Sequence, residues 1–200
     1  MALQIPDEAV ALILEFEGVD QPSEWPGEAS GITIGAGYDL GYTPADQFEE
    51  DWSPYLSGDE IERLKDVIGL KGEDAHRRAG EFRDIEIKPT DAEEVFKQRT
   101  LPKYSQKTED AFPGVDELPP KVQGALVSLV FNRGAGMDGD QRREMRAIRD
   151  AVAEGDLQKI ADQIRAMKRL WGPNMRGLLR RRDAEADLVE SAIDKNPIQP

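Results

Sequence analysis

Among the first forty residues, Glu17, Thr33 and Asp39 have the types and spacing for acid–base chemistry. Glu17 closes an apolar run that starts at Ala9. On a helical wheel it falls within about 20° of Val10, on the side of Ile13 and Leu14, whereas Glu15 falls beside Glu8 and Ala11. A carboxyl group on the apolar face is partly desolvated, and the helix C-terminus adds partial negative charge. Both favour the protonated form that a general acid needs. The competing reading is a structural glutamate paired to an arginine of the basic C-terminal helices, and the two are compatible.

Thr33 and Asp39 lie in Gly31-Ile-Thr-Ile-Gly-Ala-Gly-Tyr-Asp-Leu-Gly41, an alternating pattern interrupted by glycine. Parity puts Thr33, Gly35, Gly37 and Asp39 on one face. Fully extended, Thr33 and Asp39 would stand about 20 Å apart, too far to share one water. Gly35 and Gly37 permit a hairpin centred on Ala36, which would pair Thr33 with Asp39 across the strands. The alternative is that Asp39 only caps a turn before Leu40 and Gly41, and composition does not choose between them.

The elements that must position these residues are mostly helical. Pro6 with Asp7 and Glu8 starts the first helix and Gly18 ends it, giving Pro6 to Glu17. Gly58 to Gly80 reads as a polar helix or helix pair that connects two lobes. Thr90 and Glu93 suggest a capping box for a helix through Phe96. Val122 to Phe131, entered through Pro119 and Pro120 and closed by Gly134, has little polar face and predicts the helix at the centre of the core. Leu157 to Trp171 and Gly177 to Ile193 are further amphipathic helices. The glycine-interrupted stretch is the one convincing β signal. The expected organisation is a single domain: an N-terminal lobe with the hairpin over 1–57, a connector over 58–80, a helical lobe over 81–193 and a frayed tail over 194–200.

Composition removes several functional classes. With no cysteine there is no thiolate nucleophile or Cys-based zinc site, and His76 is the only histidine, so neither a Ser-His-Asp triad nor a multi-His metal site is expected. His76 stands in a polar stretch and reads as a solvated helix residue. The net charge is −14, from 26 Lys plus Arg and 40 Asp plus Glu, which disfavours nucleic-acid or anionic-membrane binding. No apolar run is long enough to span a membrane, and no signal peptide is expected, so the chain is read as cytoplasmic at synthesis. The charge is uneven: residues 1–62 hold 15 acids and no Lys or Arg, whereas residues 133–182 hold 13 basic and 7 acidic residues.

Glu-Gly at the end of the first helix, followed by Gly31 to Gly41, resembles the phage-type lysozymes of the glycoside hydrolase 24-like group, and within it the pesticin-like lysozyme domains. Ala125-Leu-Val-Ser-Leu-Val-Phe-Asn-Arg-Gly134 resembles the family's central helix, and Gly177-Leu-Leu-Arg-Arg-Arg-Asp-Ala-Glu185 its C-terminal helix. The resemblance implies an α+β, two-lobed lysozyme-like fold, mostly helical with a small N-terminal β-hairpin and a glycan cleft. It also implies muramidase activity on bacterial peptidoglycan with no cofactor and no metal.

Residue by residue, Glu17 matches the catalytic acid, Thr33 the cleft threonine and Asp39 the aspartate after it in pesticin-like members. Better-known phage lysozymes place their second carboxylate a few residues before the threonine, where this chain has Pro26, Gly27 and Glu28. Asp39 is favoured over Glu28 because the hairpin would bring it beside Thr33.

The mechanism implied is inverting hydrolysis between N-acetylmuramic acid and N-acetylglucosamine, with carboxyl groups about 6.5–9.5 Å apart. A lytic transglycosylase, or a non-catalytic glycan-binding or phage-structural descendant, is the alternative. Tyr38, Asn132 and Arg181 are assigned to substrate binding, against competing readings as core, helix cap and ion-pair residue. Trp25 and Trp52 are weighed as sugar platforms or core. The remaining expectations are a monomer delivered to the periplasm or cell wall by a holin, a phage tail or a secretion machinery, and no membrane or nucleic-acid partner.

Overall fold

A computed structural model describes residues 2–193, and the expected 194–200 tail lies outside the described residues. The chain forms ten α-helices and one two-stranded sheet among those residues. In chain order these are α1 (Asp7–Glu17), β1 (Thr33–Ile34), β2 (Tyr38–Asp39), α2 (Ala45–Trp52), α3 (Gly58–Lys65), α4 (Glu73–Ala79) and α5 (Pro89–Val95). There follow α6 (Leu101–Ala111), α7 (Pro120–Arg133), α8 (Arg143–Glu154), α9 (Leu157–Ala166) and α10 (Arg176–Ile193). This is the mostly helical α+β arrangement with a small N-terminal hairpin that the sequence implied.

The chain divides into two compact units: unit 1 is Met1–Phe16 with Pro102–Pro200, and unit 2 is Glu17–Leu101. These boundaries differ from the expected ones. The expected N-terminal lobe holds the first helix with the hairpin, yet all but the last residue of that helix belongs to unit 1, because Ala9 packs into that unit's apolar core. The 58–80 segment is not a connector; it is α3 and α4, and its Ile61, Leu64, Val67, Ala75 and Ala79 are core residues of unit 2. The chain leaves unit 2 instead through a π-helical turn, Phe96–Thr100, just ahead of Pro102.

Unit 1 is organised by α7, in which every residue from Val122 to Val130 is buried. Its N-terminus carries Pro120 in the first turn and its end is closed by Gly134 at φ 74°. A Cβ at Gly124 would stand 2.3 Å from Cβ of Ala9, so the glycine is what lets α1 lie against α7. Around them pack Met145, Ile148 and Val152 of α8, Ile160 and Ile164 of α9, and Ala186 and Val189 of α10.

Unit 2 has its own core of Ile32, Ile34, Tyr38, Leu40, Phe48, Trp52, Phe82 and Val95, among others. The Thr90 capping box does not form. Helix α5 starts a residue earlier with Pro89 in its first turn, and Thr90 Oγ1 bonds Asp91 Oδ1 at 3.1 Å. A capping box is found at Ser57 and Glu60, at the start of α3.

Candidate active site

Strands β1 and β2 pair antiparallel with Thr33 opposite Asp39 and Ile34 opposite Tyr38, leaving Gly35-Ala36-Gly37 as the loop. Both loop glycines have positive φ, 61° and 73°, and a Cβ on Gly35 would also meet the Trp52 ring at 2.9 Å. The Leu40 N–H donates to the Ile32 carbonyl at 2.9 Å, which makes 32/40 a hydrogen-bonded position. Thr33 and Asp39 therefore face each other at a non-hydrogen-bonded position, where opposing side chains come closest.

Asp39 is held by backbone. Its Oδ1 accepts from the amides of Gly31 at 3.0 Å and Gly41 at 2.8 Å, and its Oδ2 from Gly31 at 3.2 Å. The glycines are required by this contact: a Cβ on Gly31 would lie 2.5 Å from Oδ1 and 2.3 Å from the Gly41 nitrogen. Turn capping, the alternative reading of Asp39, is thus a real role of this carboxylate. Thr33 is buried, and its Oγ1 donates only a long 3.5 Å bond to the Gly31 carbonyl. Its hydroxyl is therefore little engaged by the protein.

Glu17 is the last residue of α1, and Gly18 follows at φ 76°. It lies on the angular face expected, but it is exposed, because the buried residues of α1 end at Ile13. The desolvation expected for it is not found. Sequence reasoning passed over Asp20. This residue forms a two-bond bridge with Gly35, Asp20 N–H to the Gly35 carbonyl at 2.7 Å and the reverse at 2.9 Å. Its Oδ2 accepts from the Gly37 amide at 3.2 Å. Burial pushes its carboxyl above the usual carboxylate range, the Gly37 amide opposes this, and the negative charges of Glu17 and Glu24 add to it. Glu17 is thus tied to the hairpin through three residues of chain and one short bridge. The only signal that could have found Asp20 is its position just after the Glu-Gly helix end.

The other assigned residues stand elsewhere. Tyr38 is a core residue: its hydroxyl donates to Asp51 Oδ2 at 2.8 Å and its ring meets Trp52 edge-on at 5.7 Å. Burial and Asp51 raise its pKa. It offers no ring to a sugar, because parity places it opposite Thr33 and Asp39. Trp52 is buried, while half-buried Trp25 stacks on exposed His76 at 4.6 Å.

Asn132 lies inside the last turn of α7 and caps nothing; its Oδ1 is covered and accepts no hydrogen bond. Arg181 is 2% exposed. Its Nη2 donates to the Ser128 carbonyl and hydroxyl, both at 3.2 Å, and its Nε to Glu185 at 3.3 Å. That is the ion-pair reading, not an open substrate contact. Glu28, the other candidate second carboxylate, is exposed at a strained φ of 54°. No group of three or more His, Asp or Glu able to hold a metal ion is found among the described residues, nor a helix long and apolar enough to cross a membrane.

No curated protein matches the chain. The model of the family described as phage lysozyme matches residues 67–185. The match covers α7 and most of α10 but begins after Glu17, Thr33 and Asp39, so the assignment of those three rests on their own pattern and geometry. Spanning more than half of the 200 residues, it shows that this chain belongs to the phage lysozyme family, enzymes of lysozyme type that degrade peptidoglycan.

Proposed function

We propose that this protein is an N-acetylmuramidase that hydrolyses the bond between N-acetylmuramic acid and N-acetylglucosamine. The observation that carries the reading is the pairing of Thr33 with Asp39 in a hairpin bridged to the end of α1, two residues after Gly18. Glu17, exposed at that helix end, gives its proton to the glycosidic oxygen as the bond to the anomeric carbon breaks. A water held by the Thr33 hydroxyl attacks that carbon from the opposite sugar face and passes its proton to Asp39 Oδ2, which inverts the anomer. The Gly31 and Gly41 amides fix the Asp39 carboxylate in one orientation before substrate arrives, and Asp20 keeps the hairpin loop on the Glu17 segment.

A second reading is favoured by one observation, that both oxygens of Asp39 already accept amide hydrogen bonds. A lytic transglycosylase needs the acid but no activated water, since the sugar's own 6-hydroxyl closes on the anomeric carbon. Mass spectrometry of the fragments separates the two: reducing ends support hydrolysis, and anhydromuramic ends replace it with transglycosylation. The acid itself is tested with Glu17→Gln. Clearing of purified peptidoglycan should fall by about 10²–10⁴-fold while the circular dichroism spectrum is kept. Activity retained by a folded variant overturns the assignment.

The same reading has the chain act as a monomer, made in the cytoplasm and brought to the wall by a holin, a tail or a secretion device. Its net charge of −14 gives no steering toward an anionic wall.

A further inference from the structure

We propose that Arg133 and Arg182, which share the Trp171 ring in unit 1, form with Arg142 over the adjoining turn a binding site for an oxyanion, the chemistry shared by phosphate and carboxylate ligands. The guanidinium carbons of Arg133 and Arg182 stand 5.2 Å and 5.8 Å from the centroid of the same Trp171 ring. Arg142 folds over the turn after α7, where a Cβ on Gly136 would be 3.7 Å from its Nε and one on Gly134 4.0 Å from its Nη2. Like charges lie close here: burial first, then Arg142, lowers the pKa of Arg133, and burial with the charges of Arg181 and Arg133 lowers that of Arg182.

Acceptors do not keep pace with these donors. Arg133 Nη2 donates to the Gln141 carbonyl at 3.0 Å and Arg182 Nη2 to Glu185 Oε1 at 2.8 Å. Arg142 has no side-chain hydrogen bond or ion pair among the described residues. Arg133 Nε, Arg142 Nη1 and both Nε and Nη1 of Arg182 are covered without an acceptor. The nearby acids are already engaged: Glu144, whose charge acts on Arg133, by Arg143 at 2.8 Å and Arg169 at 2.6 Å, and Glu185 by Arg181 and Arg182.

Two acceptor atoms beside the cluster, Glu185 Oε2 and Asn132 Oδ1, also lack partners. They do not turn toward the free donors, so internal pairing does not resolve the mismatch. A buried guanidinium N–H without an acceptor costs free energy, and so does the mutual repulsion; one bound oxyanion relieves both. Trp171 supplies a flat wall, and half-buried Arg142, beside exposed Gly136, is the side chain that can swing to admit the ligand.

The test titrates the full chain with inorganic phosphate and, separately, with acetate, ionic strength being held constant with sodium chloride. Tryptophan fluorescence and the arginine Nε–H signals in nitrogen-15 NMR are followed. Saturable binding is expected, with shifts confined to the signals of these arginines, and the tighter of the two anions names the ligand class. Arg142→Gln should weaken binding by about tenfold or more. Because Arg142 has no partner to lose and its removal relieves the repulsion on Arg133, the unliganded variant should melt at or above the temperature of the unsubstituted protein. Trp171→Phe should keep the NMR shifts and lose the fluorescence response. An absence of saturable response to either anion, equal affinity in folded Arg142→Gln, or displacement by chloride at equal concentration overturns the proposal. None of these readouts depends on lytic activity.

Discussion

In unit 2 the carboxylate of Asp39 leans on the amides of Gly31 and Gly41, and that of Asp20 on the amide of Gly37. In unit 1 the buried Glu185 leans on Arg181 and Arg182, and the buried Glu144 on Arg143 and Arg169. The contrast follows from what each stretch of chain has to offer. Residues 17–101 contain nine basic against 21 acidic residues, a net of −12, whereas the rest of the chain has 17 against 19, a net of −2. Where cations are scarce, carboxylates near the hairpin are satisfied by peptide N–H groups exposed by a glycine-rich backbone. Away from the hairpin arginines do join: Arg99 meets Asp51 beside Tyr38 and Gln47, and Arg63 pairs with Asp84 at the surface. Backbone amides fix a carboxylate's direction without a long side chain to order, which suits a residue that must present an oxygen to a water. Charge pairs instead let a helix as long as α10 cross an apolar core.

The largest expected effect on stability tests the charged side of this contrast. Glu185→Ala leaves Arg181 and Arg182 buried without their shared carboxylate and should destabilise unit 1 by about 3–5 kcal/mol. Urea unfolding read through Trp171, in a chain whose Trp25 and Trp52 are replaced by Phe, reports it. A loss below about 1 kcal/mol would mean that the network is not what holds α10. On the backbone side, Gly31→Ala drives a methyl into the Gly41 amide and the Asp39 carboxylate and should cost about 2 kcal/mol in unit 2. The Trp25 and Trp52 fluorescence transition should move while that of Trp171 stays, and peptidoglycan clearing should fall with it.

Asp20→Asn sharpens the comparison by its pH dependence. Because the folded protein raises this carboxyl's pKa, its ionised form is less favourable folded than unfolded. The wild-type protein is therefore penalised progressively as pH rises above the ordinary value of 3.8. The variant does not ionise, so its melting temperature should gain on wild type between acid and neutral pH, and the gain should vanish below 3.8. A gain that grows toward low pH would reverse the assignment. The smallest effect belongs to Arg180→Gln. Its partner Glu15 stands 3.5 Å away, and the two side chains are 72% and 64% exposed, so the change should stay within about 0.5 kcal/mol in either direction.

Much of this was legible beforehand because it is local. Helices α1, α7, α9 and α10 follow from 3.6-residue periodicity and from terminal proline and glycine, and the hairpin follows from two glycines flanking Ala36. What no local pattern carries is the partner each side chain finds. The ring of Tyr38 suits a sugar by its type alone, yet Asp51 and Trp52 claim it. Arg181 sits among three consecutive arginines, and nothing in their spacing says that two are buried and one is exposed. Thr90 looked like a cap until Pro89 claimed the first turn.

By itself, then, the sequence determined the family, the main amphipathic helices and a glycine pattern that permits Thr33 to pair with Asp39. Periodicity, turn chemistry and register act over a few residues and need no partner. The tertiary structure alone decided that Asp39 is clasped by two glycine amides, that Asp20 bridges to the hairpin and that Glu17 ends exposed. It also decided that Arg133 and Arg182 converge on Trp171, with Arg142 over the turn that follows Arg133. Burial and partnership depend on which distant segments fold against one another, and no local pattern carries that information.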